Sequence, residues 1–264
     1  MSAPPRPSAY ARLVLRIIDA RTGEPVEAAP VRRGLTRVEA RASGPGLTAL
    51  RVLLVADLLV RALELGGTPV WAVLSGVPEA VELRAAAAAL GVRPFEDGRD
   101  VGTGLGEAQV LHVVADGAGG PAPQGVLIGV AAADGTSPGL ALSDPDRTDA
   151  PDPAVLRLAL LARPRSEPLR LDSALLDRAE DTLGRWRRSV AAWAREPSRP
   201  IPADVRAGLR EAWEDDLDVP GVLRVLERVE AAGPEVPEGA RFETYAYADR
   251  LLGLELTRDL GREA

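Results

Sequence analysis

Few residues in this chain can do chemistry, and the absent ones matter as much as those present. His112 is the one histidine, there is no cysteine and no lysine, and all 32 basic residues are arginine. No ammonium group is available to neutralise a transferring or leaving phosphate. No thiolate can bind zinc or act as a nucleophile. His112 stands in an apolar stretch with Asp116 four residues on. A strand would set those two about two pleats apart. One imidazole without a second ligand therefore reads as a core or edge histidine, not as a metal ligand. No nucleophile-elbow motif accompanies it, so no Ser-His-Asp set assembles.

Three other patterns invite a chemical reading and receive a structural one. Gly102-Thr-Gly-Leu-Gly106 has the look of a dinucleotide loop. That fingerprint requires a strand before it and a helix after it, and here a strand follows, so a flexible loop is expected. Glu214, Asp215, Asp216 and Asp218 form an acidic run that could hold a cation. The run falls between two helices, where carboxylates favour the N-terminus of the second. Trp186 and Trp193 lie a heptad apart on one helix face and read as core.

The elements that must position these residues follow from periodicity. Residues 13–18 form a strand stopped by Arg21-Thr-Gly-Glu-Pro25, and residues 37–42 alternate as a half-buried strand does. Ser43-Gly-Pro-Gly46 makes a sharp turn into a helix over 47–65 that is apolar on most faces and closed by Gly66-Gly67. A strand over 70–74, an alanine-rich helix over 79–90, and apolar strands over 110–115 and 126–131 come next. Strands alternating with helices at this spacing imply right-handed crossovers and a parallel sheet covered on both faces. After about residue 150 the pattern turns wholly helical. Asp152-Pro153 opens a short helix, and Leu171, Leu175, Ala179, Leu183, Trp186, Val190 and Trp193 mark a long amphipathic one. Helices over 203–214, 221–232 and 242–252 complete a bundle. The expected organisation is a disordered tail over 1–9, a reduced Rossmann-type α/β domain over 10–150 and a helical bundle over 151–264.

The net charge of −7 argues against nucleic acid as a partner, because phosphate binding needs a basic surface. Arg185, Arg187 and Arg188 sit near Glu180 and Asp181 and read as a solvated helix face. The longest apolar run, residues 52–60, is interrupted by Asp57 and too short to span a membrane. The Pro- and Ser-rich start lacks the apolar stretch of a signal peptide. A cytoplasmic protein is expected.

The helical part carries a recognisable pattern. Asp152-Pro-Ala-Val-Leu-Arg-Leu-Ala-Leu-Leu-Ala162, Leu175-Leu-Asp-Arg-Ala-Glu180 and Leu183-Gly-Arg-Trp-Arg187 resemble the helices after the signature loop of cysteinyl-tRNA synthetases. Among these, the actinobacterial mycothiol cysteine ligases are most similar. Asp215-Asp-Leu-Asp-Val-Pro220 resembles the family's DDLDTP, and Leu251-Leu-Gly-Leu-Glu-Leu256 its closing helix. Upstream, Leu15-Arg-Ile-Ile-Asp19 and the Ser43 turn resemble the first strands, and Val55-Ala-Asp-Leu-Leu-Val-Arg61 the helix that follows.

The resemblance implies a reduced class I synthetase fold, Rossmann-type and HUP-like, followed by a bundle. It also implies a lineage that activates cysteine as an adenylate, with HIGH histidines and a KMSKS lysine stabilising phosphate charge and a zinc selecting the thiol. This chain departs from it at each of those places. Ser43-Gly-Pro-Gly-Leu-Thr-Ala-Leu50 has serine at the zinc-cysteine position and no HIGH histidine, and Thr136-Ser-Pro-Gly-Leu-Ala-Leu142 has no lysine. Arg147 is the nearest cation to that loop, beyond Asp144 and Asp146. Most of the connective insertion expected between Pro94 and Gln109 is missing.

The expected function is therefore that of a non-catalytic homologue, a pseudoenzyme acting as a binding, scaffold or regulatory protein, with no catalytic residue, metal or obligatory cofactor. An ATP-dependent aminoacyl ligase with an unconventional site, and a sensor of an adenylate-like molecule, are the alternatives. An inherited pocket for ATP or an adenylate would be lined by Ser43, Gly44, Pro45, Gly46, Ser75, Gly135, Thr136 and Ser137. The partner would be another protein or a second copy. Loss of the insertion should leave the strands over 110–114 and 126–130 with an open edge, unless residues 117–124 fold over it.

Overall fold

The computed structural model describes residues 14–31, 34–44, 46–76, 81–98, 107–117, 124–135 and 152–261. The expected tail over 1–9, the glycine loop over 102–106, and Pro45, Thr136 and Ser137 lie outside the described residues.

A hairpin of β1 (Arg16–Ile18) and β2 (Pro25–Glu27) precedes β3 (Leu35–Arg41), α1 (Leu47–Leu65), β4 (Val70–Ser75), α2 (Val81–Ala89) and β5 (Glu96–Asp97). Next come β6 (Glu107–Ala115), β7 (Val126–Val130), β8 (Ala133–Gly135), α3 (Pro153–Leu161) and β9 (Leu169–Leu171). Helices α4 (Ser173–Trp193), α5 (Ala203–Glu214), α6 (Val219–Ala231) and α7 (Glu238–Leu252) close the described chain. The main sheet runs β5-β4-β3-β6-β7 with every pair parallel. This is a Rossmann-type α/β architecture. β8 and β9 pair separately.

Helix α1 explains its own composition. It packs on the sheet through Val38, Ala40, Leu111, Val113, Ile128 and Val130, and on its other sides meets α2, α7 and β8. A helix enclosed in this way must be apolar nearly all round, and Leu50, Val52, Leu53, Leu54, Leu58 and Leu59 are all buried. The expected helical period holds from Ala179 on, with Leu183, Trp186, Val190 and Trp193 pointing inward from α4, whereas Leu171, expected on the same helix in a wholly helical region, lies in strand β9 ahead of the Asp172 cap. Trp186 and Trp193 stack edgewise on Tyr245 of α7 at 5.6 and 5.2 Å. Asp152, Asp172 and Asp218 cap α3, α4 and α6 by accepting from the backbone N–H of Ala154, Leu175 and Gly221.

Two expectations are corrected. The parallel sheet is not covered by helices on both faces: among the described residues α1 and α2 share one face, and the opposite face presents Arg37, Glu39, Arg41, Ser75 and His112. Those side chains pair with one another, so the face is polar without needing a helix. Nor is the edge at 126–130 open. β6 lies inside the sheet, and the outward carbonyls of β7 are taken in turn. Gly125 O accepts from the Arg21 guanidinium, Leu127 O from the Ala20 N–H at 2.7 Å, and Gly129 O from Arg165 at 2.6 Å. The edge argument for self-association loses its premise at this strand.

The two halves share a buried ionic joint. Asp57, on α1 and fully buried, accepts from Arg61 and Arg157 on one oxygen, both at 2.8 Å, and from the Arg93 side chain on the other at 3.2 Å. Arg157 of α3, itself without exposure, also donates to Leu90 O at 2.9 Å and to Leu252 O at 2.6 Å. Burial pushes the Asp57 pKa up, but Arg157 and Arg61 pull harder, and it settles below the usual carboxylate range. Removing one member of such a set strands an uncompensated charge in the interior. Asp57→Ala is expected to cost about 3–5 kcal/mol, measured as a lowered urea midpoint. An exposed pair such as Arg163–Glu167 should be removable at about 1 kcal/mol or less.

Candidate functional site

In an open parallel sheet, ligands bind beyond the carboxyl ends of the strands, where the strand order reverses. Here β3 and β6 are neighbours although β4 and β5 intervene in sequence. The candidate site is therefore the rim formed by the turn after β3, the end of β4 and the turn after β6.

Local chemistry builds that rim. Ala42 N–H donates to Ser75 O at 3.2 Å, drawing the ends of β3 and β4 together. Gly76, with φ +94°, follows so closely that a Cβ would stand 2.7 Å from Ala42 O. Gly46, with φ +151°, starts α1 without any side-chain cap. The first turn of α1 is fastened instead to β8: the Thr48 hydroxyl accepts from Ala133 N at 3.0 Å and lies 3.2 Å from Ala133 O. Ser43, Gly44 and Gly46 thus gather at the N-terminus of α1, with Ser43 exposed, and Gly135 ends the strand tied to that turn. Ser75 is placed differently. Its hydroxyl sits on the opposite face of the sheet and donates to Glu39 Oε1 at 2.6 Å.

Among the described residues, the side-chain charges around the rim do not favour a phosphate. Asp116 follows β6 and Asp134 lies in β8, while Arg51 and Arg165 are buried near this end, Arg165 on Gly129 O and Asp216. The Arg51 guanidinium donates to four main-chain carbonyls: Ala131 at 3.0 Å, Glu167 and Pro164 at 2.7 Å, and Arg163 at 3.4 Å. Burial lowers its pKa, and Asp116 and Glu167 offset part of that. Its donors hold the chain after β7 to the segment before β9 and do not face the rim. Among the described residues no three His, Cys, Asp or Glu side chains are grouped to hold a metal.

His112 is buried, at 3% exposure, on the second face of the sheet. Its Nε2 lies 2.9 Å from Gln124 O, and its Nδ1 lies 3.4 Å from Glu39 Oε2. Its carboxylate neighbour is thus not Asp116, four residues along the strand, but Glu39, its register partner on β3. Glu39 also pairs with Arg41 at 3.3 Å and Arg37 at 3.6 Å. His112 first, then the Ser75 hydroxyl, overcome burial and bring the Glu39 carboxyl down to about 2. The charge alternation over 37–42 was the available signal for this cluster; the strand pairing that completes it was not visible.

The acidic run is structural. Asp218 caps α6, and Asp216 accepts from Ile18 N–H at 2.8 Å and pairs with Arg165, joining the β1 hairpin to the bundle. Asp216 and Leu217 adopt left-handed backbone, φ 54° and 56°, to make the turn.

No family model matches the chain. It is similar to curated proteins named L-cysteine:1D-myo-inositol 2-amino-2-deoxy-alpha-D-glucopyranoside ligase. The protein of Beutenbergia cavernae is 38% identical over 111 residues, 40% of this chain and 25% of its own length. That of Streptomyces scabiei is 36% identical over 113 residues, 42% of this chain and 27% of its own. That of Frankia casuarinae is 41% identical over 76 residues, 29% of this chain and 16% of its own. The matched part thus spans about a quarter or less of these relatives. The described residues thus form a Rossmann-type α/β fold, in a chain whose sequence is similar to these ligases over about 40% of its length.

Glu39 gives a pH test of the second-face cluster. Its folded pKa of about 2 lies below the ordinary 4.5, so the stability it contributes is complete above about pH 4.5 and disappears as pH falls toward 2. Glu39→Gln should lower the urea midpoint at neutral pH and leave a shallower decline than wild type between pH 4.5 and 2. Parallel curves for the two proteins would contradict the cluster's role.

Proposed function

We propose that this chain keeps the framework of a cysteine-ligase relative but not its adenylating chemistry, and that it works as a binding, scaffold or regulatory protein. The observation that carries this reading is the commitment of Arg51. This cation, buried near the ligand-binding end of the sheet, has its donors on four main-chain carbonyls, while Asp116 and Asp134 add negative charge there. A triphosphate needs cations aimed at the charge that develops during transfer. Serine at position 43 and the absence of lysine and cysteine agree with the same conclusion.

The partner in this reading is another protein or a second copy of the chain. Among the described residues no helix is long and apolar enough to cross a membrane, and we place the protein in the cytoplasm. One observation favours a sensor as the second reading. The N-terminus of α1 has no side-chain cap, and unsatisfied N–H groups at a helix start attract anions. An adenylate-like molecule could be held there without being made.

Amino-acid-dependent pyrophosphate exchange separates binding from catalysis. The purified protein is expected to show none with any amino acid, since each lost stabilising group costs about a hundredfold or more in rate. Robust exchange would overturn the proposal. Calorimetry with a non-hydrolysable cysteinyl-adenylate analogue then divides the two binding readings: heat of binding supports the sensor, and its absence supports the scaffold.

A further inference from the structure

The bundle contains a concavity separate from the rim. It lies between α3, α4 and α6 and has a volume of 280 Å³, close to the lower end, about 300 Å³, of small-molecule pockets. Leu175 and Leu223 wall it, and behind them lie Leu158 and Trp186, Trp186 with no exposure of its own. The Trp186 ring turns its polar edge away, donating from Nε1 to Glu230 at 3.1 Å, so this backing is apolar. The hollow exists because Ala162 and Ala179 stand where longer side chains would close it. α4 carries Ala179 between Leu175 and Leu183 on one face, so the heptad pattern is kept while the volume is not filled.

The mouth is polar and carries a cation that makes no ion pair among the described residues. Arg224 is paired with Asp218 at 2.9 Å. Arg178, exposed at the opening with Thr182 one turn further along α4, meets no carboxylate among the described residues. Glu227 is the acidic group of the lining. An apolar slot with a guanidinium at its entrance is complementary to one kind of small molecule, an apolar body that ends in a carboxylate.

We propose that this cavity binds small amphipathic carboxylates, the apolar part seated between Leu175 and Leu223, the carboxylate on Arg178. The site is distant in sequence from the strand-end rim and independent of it. Failure here leaves the proposed loss of adenylation standing, and the reverse also holds.

The test uses the full chain, phenylbutyrate as probe and its uncharged isostere phenylbutyramide, followed by amide NMR shifts. Expected are saturable shifts confined to α3, α4 and α6, with the carboxylate binding about fivefold more tightly than the amide, as an exposed ion pair allows. Arg178→Gln should remove that preference while the amide binds as before. Ala179→Leu, which fills the hollow, should weaken both probes. Shifts that do not saturate, that map elsewhere, that are equal for the two probes, or that keep the carboxylate preference in R178Q would each overturn the proposal. Because Arg178 is exposed, R178Q should fold normally even if A179L does not.

Discussion

The fold depends on one buried carboxylate. Asp57 lies at the centre of α1 and receives guanidinium groups from three directions: Arg61 from its own helix, Arg93 from the chain before β5, and Arg157 from α3. Burying a lone carboxylate or a lone guanidinium costs several kcal/mol each, roughly. Here the cost is met by short, multiple bonds and by Leu90 and Leu252 carbonyls that use the remaining donors of Arg157. The set fixes where the bundle stands on the sheet, because a hydrophobic interface alone would tolerate sliding. Gly253, in left-handed backbone at φ 61°, lets the chain leave α7 just where Arg157 arrives.

Arginine repeats this role across the molecule, which gives the absence of lysine a structural meaning. A guanidinium offers five donors in a planar fork, so one side chain can satisfy several carbonyls that do not lie in one helix or sheet. Arg51 does this between β7 and β9, Arg165 between Gly129 and the β1 hairpin, and Arg187 between Asp152 and the carbonyls of Leu254 and Glu255. An ammonium could not span these sets with the same geometry. These cations hold loops together, and among the described residues Asp116 and Asp134 stand near the strand-end rim of the sheet.

On the second face of the sheet a polar cluster forms with no helix over it among the described residues. Arg37, Glu39 and Arg41 alternate outward along β3, and β4 and β6 bring Ser75 and His112 beside the central carboxylate. Arg37 and Arg41 pair with Glu39 along their own strand, and Ser75 and His112 reach it from the adjacent ones, so the cluster belongs to the sheet and not to any single segment. The closing of the β7 edge follows the same logic, with Arg21 and Arg165 taking the places a further strand would have filled.

Much of the architecture was legible in the residues. Alternation over 37–42, the enclosed apolar helix over 47–65 and the inward row from Ala179 to Trp193 each report a local period, and a period survives whatever the element packs against. The resemblance in the helical part was likewise carried by short motifs such as Asp215-Asp-Leu-Asp218. What the residues could not decide was pairing between distant segments. Asp57 looked like an interruption in an apolar run, and only the tertiary arrangement brings Arg93 and Arg157 to it. His112 was compared with Asp116 along its own strand, whereas the sheet register sets it against Glu39. Ser75 reads as part of a strand-end pocket until the pleat turns its hydroxyl to the other face. The physical reason is the same in each case: burial and charge act through space, and the partner that makes a side chain structural or available is chosen by the fold, from any distance along the chain.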